Sequence, residues 1–165
     1  MDNRIRLVSG YLFDLAEPEA SVRHLGIVDV AHSLAHICRF NGHTREFYSV
    51  AQHSVLVSRL CPARYAMEGL LHDATEALLG DVASPLKAML PDYKALEARV
   101  ERAVLTRFGL VHIPEDVKTA DRLALVREQA SLMNGHPQPE QCSPIVPLPP
   151  LQAQLEFLRR YLELA

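Results

Sequence analysis

Apolar residues recur at intervals of three and four along most of the chain, and the interruptions fall at proline and glycine. This pattern predicts helices joined by short turns. The one departure is at the start, where RIRLVSGYLFDL alternates around Ser9-Gly10 and predicts a short hairpin from Arg4 to about Asp14. Glu17-Pro18-Glu19 breaks that pattern, and a second extended piece is expected from Ser21 to Ile27. Asp29 is placed to cap a helix running to about Cys38, ahead of the turn residues Asn41-Gly42.

Ser49-Val50-Ala51-Gln52 fits a capping box, in which serine and glutamine side chains each satisfy a free amide of the first turn, for a helix to about Leu60. Pro62 opens the next helix, which carries His72 and Asp73 and stops at Gly80. Ser84-Pro85 starts a short helix that Pro91 interrupts. From Asp92 to Phe108 the positions Leu96, Val100, Ala103, Val104 and Phe108 keep helical spacing up to Gly109. Pro114 to about Met133 reads as a long helix with Val117, Ala120, Leu123, Ala124 and Ala130 inward, and Asp121 among them. Asn134 to Pro150 is rich in proline and polar residues and reads as a surface loop or arm. A last helix, Leu151 to Leu162, carries Leu155, Leu158 and Leu162 on one face. The fold class is mainly α, a compact helical bundle with a short N-terminal β-hairpin.

At 165 residues and 48% hydrophobic, the chain suits one domain with a real core and is too short for two. Its 17 basic and 20 acidic residues are interspersed, giving a net charge of −3, so no basic field for duplex nucleic acid is present. No apolar run reaches the roughly 20 residues of a membrane span, and the start MDNRIRLVSG has no signal-peptide core, so a cytoplasmic location is expected. Cys38, Cys61 and Cys142 are far apart and outside any C-x-x-C pair, which points away from a disulfide framework or zinc knuckle.

The stretch Gly69 to Asp81 changes the picture, because His72, Asp73 and Glu76 lie among apolar residues that form a buried stripe. Imidazole and charged groups in such a place must be paired, hydrogen-bonded or metal-bound. His53, His72, Asp73 and Asp121 together offer two imidazoles and two carboxylates, a set that suits a divalent cation and leaves room for water and a substrate oxygen. The same residues also read as a hydrogen-bonded core histidine and a buried partner for arginine, and composition does not choose between the two. His32 and His36 form H-x-x-x-H, but Ser33 stands where a zinc protease has glutamate, so a structural or outer role is expected for both. His43, near Arg39 in a glycine-containing loop, is a further group within reach of phosphate. His24, His112 and His136 are expected on the surface or in loops.

With His53 in SVAQHSVLV, His72-Asp73 in LLHDATEALLGD and Asp121 in VKTADRLAL, residues 29 to 134 resemble the HD superfamily of metal-dependent phosphohydrolases. The resemblance is nearest to the small branch that includes bacterial 5'-deoxynucleotidase and a phage dATP triphosphohydrolase. It implies a compact all-helical domain, usually homo-oligomeric, in which His53, His72, Asp73 and Asp121 ligate a divalent metal (Zn, Co, Mn, Ni, Fe or Mg). It implies that Glu76 and Asp81 serve catalysis, and that Arg39 meets phosphate while Phe40 shapes the sugar pocket. The relatives often carry tryptophan where Phe40 stands. Lys87, just inside the Ser84-Pro85 helix start, is a second candidate cation for the substrate; a plain surface lysine is the rival reading.

The expected function is hydrolysis of a nucleotide, first a 5'-nucleoside monophosphate. The alternatives are a deoxynucleoside triphosphate cleaved to release triphosphate, and a non-catalytic nucleotide-binding or sensing module. Few cations are at hand for a three-phosphate tail beyond Arg39, Lys87, Arg45 and Lys94, which favours the monophosphate.

Overall fold

The computed structural model describes residues 2–135 and 144–165. Strands β1 (Arg4–Arg6) and β2 (Leu12–Asp14) pair antiparallel with Ile5 opposite Phe13. Gly10, at φ +88°, lets the turn close, and its N–H donates to Leu7 O at 2.9 Å. Phe13 points inward and is fully buried.

The extended piece expected after the hairpin is instead helical: α1 (Pro18–Ser21) runs into a 3-10 turn, Val22–His24. Proline in the first turn presets the helical φ, and the tight path carries both Val22 and Leu25 into the core. Helix α2 (Ile27–His36) begins two residues before Asp29. Asp29 is its third residue, and its carboxylate accepts the N–H of Gly26 at 3.1 Å and of Ser9 at 2.9 Å, tying the helix start to the hairpin turn. The helix also ends short of Cys38. Residues 37–39 are extended and bond to 48–50: Val50 N–H donates to Ile37 O, and Arg39 N–H to Tyr48 O.

Helix α3 (Val50–Leu60) is capped as expected, Ser49 Oγ accepting from Gln52 N–H at 3.2 Å. The Gln52 side chain does not complete the capping box. It donates to Val146 O at 2.7 Å and accepts from Leu148 N–H at 3.0 Å, which offers both amide groups a partner in the returning chain.

The single helix expected to carry His72 and Asp73 is divided into α4 (Ala66–Leu71) and α5 (Glu76–Leu79). Across the break the bonds tighten to three-residue spacing, Ala74 N–H to Leu71 O and Glu76 N–H to Asp73 O. The His72 ring contributes to the break: its Nδ1 lies 2.9 Å from Gly69 O, the carbonyl that Asp73 N–H would use in a continuous helix. Gly80, at φ +79°, ends α5.

Helix α6 (Ser84–Ala88) is followed by α7 (Pro91–Arg107), which ends ahead of Gly109, then α8 (Glu115–Leu132) and α9 (Pro150–Leu164). On α8, Val117, Ala120, Ala124 and Ala130 face inward, but Leu123 is half exposed and Glu128 is the residue fully enclosed. On α9, Leu155 and Leu162 are 57% and 76% exposed, Leu158 packs against the core, and Ala153 and Phe157 are buried. Seating the ring of Phe157, one turn from the small Ala153, removes more apolar surface and lets α9 approach α2 and α3.

Helix α3 is central, with α2, α4, α8 and α9 packed around it. One face joins the main core with Val30, Leu34, Leu70 and Phe157; the other meets Val117, Ala120 and Ala124 of α8 in a smaller apolar cluster. Cys38 and Cys61 are free thiols. The expected loop of 134–150 is without regular structure at 144–149, with a turn at 134–135 and Pro150 already in α9; its residues 136–143, with His136 and Cys142, lie outside the described residues. Among the described residues, no helix is long and apolar enough to cross a membrane.

Candidate metal centre

His53 lies on α3 between the two apolar clusters and is fully buried. Its Nδ1 is 2.6 Å from Glu128 Oε1 on α8. Glu128 is itself enclosed, and it also accepts from Tyr48 Oη at 2.9 Å and from Arg39 Nη2 at 3.1 Å. Burial alone would raise the Glu128 carboxyl, but His53, Arg39 and Tyr48 outweigh it and hold the group below its ordinary range. An ionised carboxylate only accepts, so Nδ1 of the His53 ring carries a proton, and it is Nε2 that faces the cluster and exchanges its proton for a cation. His72 repeats this arrangement, its Nδ1 facing Gly69 O and its Nε2 turned toward His53.

The two Nε2 atoms are 3.3 Å apart. Asp73 Oδ2 stands 3.4 Å from His53 Nε2 and 3.1 Å from His72 Nε2. Asp121 Oδ1, more exposed, is 3.2 Å from the first and 4.0 Å from the second. Ligand atoms about 2.1 Å from one tetrahedral ion are separated by about 3.4 Å. The group His53, His72 and Asp73 can therefore hold a metal ion. Four Lewis bases facing one point repel unless a positive charge lies among them. Burial opposes charging His53, yet the carboxylates of Glu128 and Asp121 prevail and raise it to about 9. Burial would likewise raise Asp73, but His72, His53 and Arg39 hold it well below the usual carboxylate range.

Beside this cluster is a cleft of about 360 Å3, lined by Arg39, Phe40, Asp73, Glu76, Asp81, Lys87 and Asp121 among others. A neighbouring hollow of about 260 Å3 shares Asp73, Glu76 and Lys87 and adds Lys94, Glu97 and Glu101. Glu76 is 8% exposed, and its Oε2 is buried without a hydrogen-bond partner. Burial, reinforced by Asp73 and Asp81, pushes its carboxyl up to about 10, so it holds a proton at neutral pH. Asp81 is raised for the same first reason, burial. Lys87 Nζ is 4.0 Å from Glu76 Oε1 but donates to Glu97 Oε1 at 2.6 Å, so its charge is already partnered.

Arg39 reaches into the cleft with Nη1 3.8 Å from Asp73 Oδ2 and its guanidinium 5.2 Å from the centre of the Phe40 ring. Its Nε is buried without a partner. Phe40 and Asn41 both adopt left-handed backbone, at φ +54° and +51°, a region that asparagine enters readily and a bulky aromatic residue does not.

The other histidines lie elsewhere. His36 Nδ1 is 2.7 Å from His32 O, and the two rings line a separate hollow beside the hairpin. His24 stacks on Tyr11, and His43 and His112 are exposed. Sequence reading missed Glu128, Tyr48 and Glu97. For Glu128 a signal existed: it lies seven residues after Asp121, two turns along the inward stripe of α8.

Fold and site together define a mainly helical protein with a histidine–aspartate cluster able to take a cation. No family model matches the chain. It is 41% identical over 150 residues to the uncharacterized protein YfdR of Escherichia coli K12, covering 84% of each chain. It is 39% identical over 130 residues to an uncharacterized protein of Rhodobacter capsulatus, covering 72% of this chain and 65% of that one. The chain belongs to the same family as YfdR.

Proposed function

We propose that this protein is a divalent-metal phosphohydrolase of the HD type, removing phosphate from a nucleoside 5'-monophosphate. The observation that carries the reading is the convergence of His53, His72, Asp73 and Asp121 beside an unpartnered, buried Glu76 Oε2. In this reading Asp121 completes the ligand set. The donor chemistry fits a cation, because each imidazole has its outer nitrogen engaged by an acceptor and its inner nitrogen turned to the cluster.

A bound ion supplies Lewis acidity: it lowers the pKa of a water and polarises a phosphoryl oxygen. The chain's own groups do the rest. Arg39 binds the phosphoryl oxygens through its guanidinium, held in place by Glu128. Water adds to phosphorus, the bond from phosphorus to the 5' oxygen breaks, and the nucleoside leaves as an alcohol. Glu76 holds and moves the protons at Oε2, and Asp81, across the cleft, sets the charge it works against.

The cations favour a monophosphate over a triphosphate. Lys87 is bound to Glu97, and Lys94 lines the neighbouring hollow. The Arg45 guanidinium is taken by the carbonyls of Ser131 and Met133.

The test is metal analysis of the purified protein, followed by product identification with nucleoside mono- and triphosphates under each candidate ion. Phosphate from monophosphates, lost together with the metal in Asp73→Ala, is the expected result. Release of triphosphate instead would move the assignment to the triphosphate reaction. Nucleotide binding with no turnover under any ion would make the protein a sensing module.

A further inference from the structure

Two side-chain carboxamides line the cleft, Asn41 and Gln129. Neither makes a side-chain hydrogen bond among the described residues. Gln129 follows Asp121 by two turns of α8, with Leu125 between them, so it stands about 12 Å along the helix axis from the ligand cluster. The loop bearing Asn41 is fastened to the same end of α8: Arg45 donates its N–H to Leu132 O at 3.0 Å and its guanidinium to Ser131 O at 2.6 Å.

The backbone at this place is costly. Phe40, Asn41 and Gly42 are all left-handed, at φ +54°, +51° and +78°, and only the last is glycine. Asparagine enters this region readily, so the strain falls on Phe40, which glycine would relieve. Phe40 instead keeps a ring that lines the cleft beside the Asn41 amide, and strain of this kind collects where a side chain must be held in one place.

The lining of the cleft is mixed in chemistry. Beside the ligand cluster, Arg39 and Lys87 it includes the apolar side chains of Phe40 and Leu125 and the two amides. A carboxamide presents a donor and an acceptor in one plane, the pattern that pairs with the edge of a nucleobase. We infer that Asn41 and Gln129 hydrogen-bond the nucleobase edge of the substrate and set the base preference of the cleft. This rests on the nucleotide reading given above.

The experiment compares the metal-loaded wild type with Asn41→Gly and Gln129→Met. Glycine keeps the left-handed backbone while removing the amide, and methionine keeps the length and lack of branching of glutamine. Substrates are the four common deoxynucleoside 5'-monophosphates and the baseless deoxyribose 5-phosphate. The readout is kcat/KM for each nucleotide divided by that for deoxyribose 5-phosphate. In each variant this ratio should fall roughly tenfold for the best nucleotide, mainly through KM, the effect of one lost hydrogen bond. The spread among the four bases should narrow.

An active wild type whose ratio and spread survive in both variants would overturn the inference and leave the nucleotide reading standing. Hydrolysis of deoxyribose 5-phosphate with no preference for any nucleotide would overturn it as well. A wild type that turns over none of the five substrates would overturn the nucleotide reading and this inference with it.

Discussion

Replacing Glu76 with glutamine should change how stability depends on pH in the metal-free protein. The carboxyl has an ordinary value of 4.5 in the unfolded chain and about 10 in the fold, where burial and the carboxylates of Asp73 and Asp81 oppose its ionisation. Between those values the folded state keeps a proton that the unfolded state has released. The stability tied to the neutral form is complete below about 4.5 and drains away as pH climbs toward 10. The slope is about 1.4 kcal/mol per pH unit, so the wild type should lose about 3 kcal/mol from this group between about pH 5.5 and 7.5. Glutamine matches glutamic acid in size and never ionises, so Glu76→Gln lacks that loss. Urea unfolding followed by circular dichroism, with chelator present, gives both curves. The variant should gain about 3 kcal/mol on the wild type across this interval, and added divalent metal should shrink the gap by offsetting the Asp73 charge. Parallel curves for the two proteins would refute the reasoning, because they would mean that Glu76 ionises as freely in the fold as in the unfolded chain.

Gly69→Ala should destabilise the protein by about 1–3 kcal/mol, read as a lower thermal midpoint. An added Cβ would lie 2.7 Å from Cys61 Sγ and 3.1 Å from Ser58 Cα, and Cys61→Ala in the same chain should recover part of the loss. Glu128→Gln should weaken metal binding by about 10–100-fold, measured by competition with a chelating dye, since the amide disturbs the hydrogen bond that orients His53. Arg39→Lys should recover only part of the phosphate affinity lost in Arg39→Ala, because an ammonium cannot reproduce the guanidinium fork; equal KM values for lysine and arginine would refute this.

Helices with both a strong apolar repeat and a punctuating residue were legible in the sequence. Ser49 starts α3, Gly80 ends α5 and Gly109 follows α7, each for a local reason. What escaped depended on distant partners. Asp29 looked like a cap, but its carboxylate is shared with the hairpin amide of Ser9. Gln52 looked like half of a capping box, yet it binds residues 146 and 148. The shared face of Leu155, Leu158 and Leu162 on α9 did not say which side is buried, and Ala153 and Phe157 decide it. In the candidate site, the ligating residue types were visible because histidine and aspartate are rare in apolar runs. Glu128 was passed over on a helix whose other acids are mostly exposed, and the break after Leu71 came from the His72 ring competing for a backbone carbonyl.

The cluster draws its members from chain segments that are far apart, 19 residues between His53 and His72 and 75 between His53 and Glu128. The α3–α4 hairpin already carries His53, His72 and Asp73, but Asp121 and the Glu128 that orients His53 join them only when α8 is docked. Any cation taken up there then acts as a clasp between that hairpin and α8. It favours the docked form over the detached hairpin, adding about 2.7 kcal/mol when free metal stands at a hundredfold its dissociation constant. Metal supply would thereby govern how long the chain resists unfolding and proteolysis, and scarcity of the ion would be felt first as loss of protein.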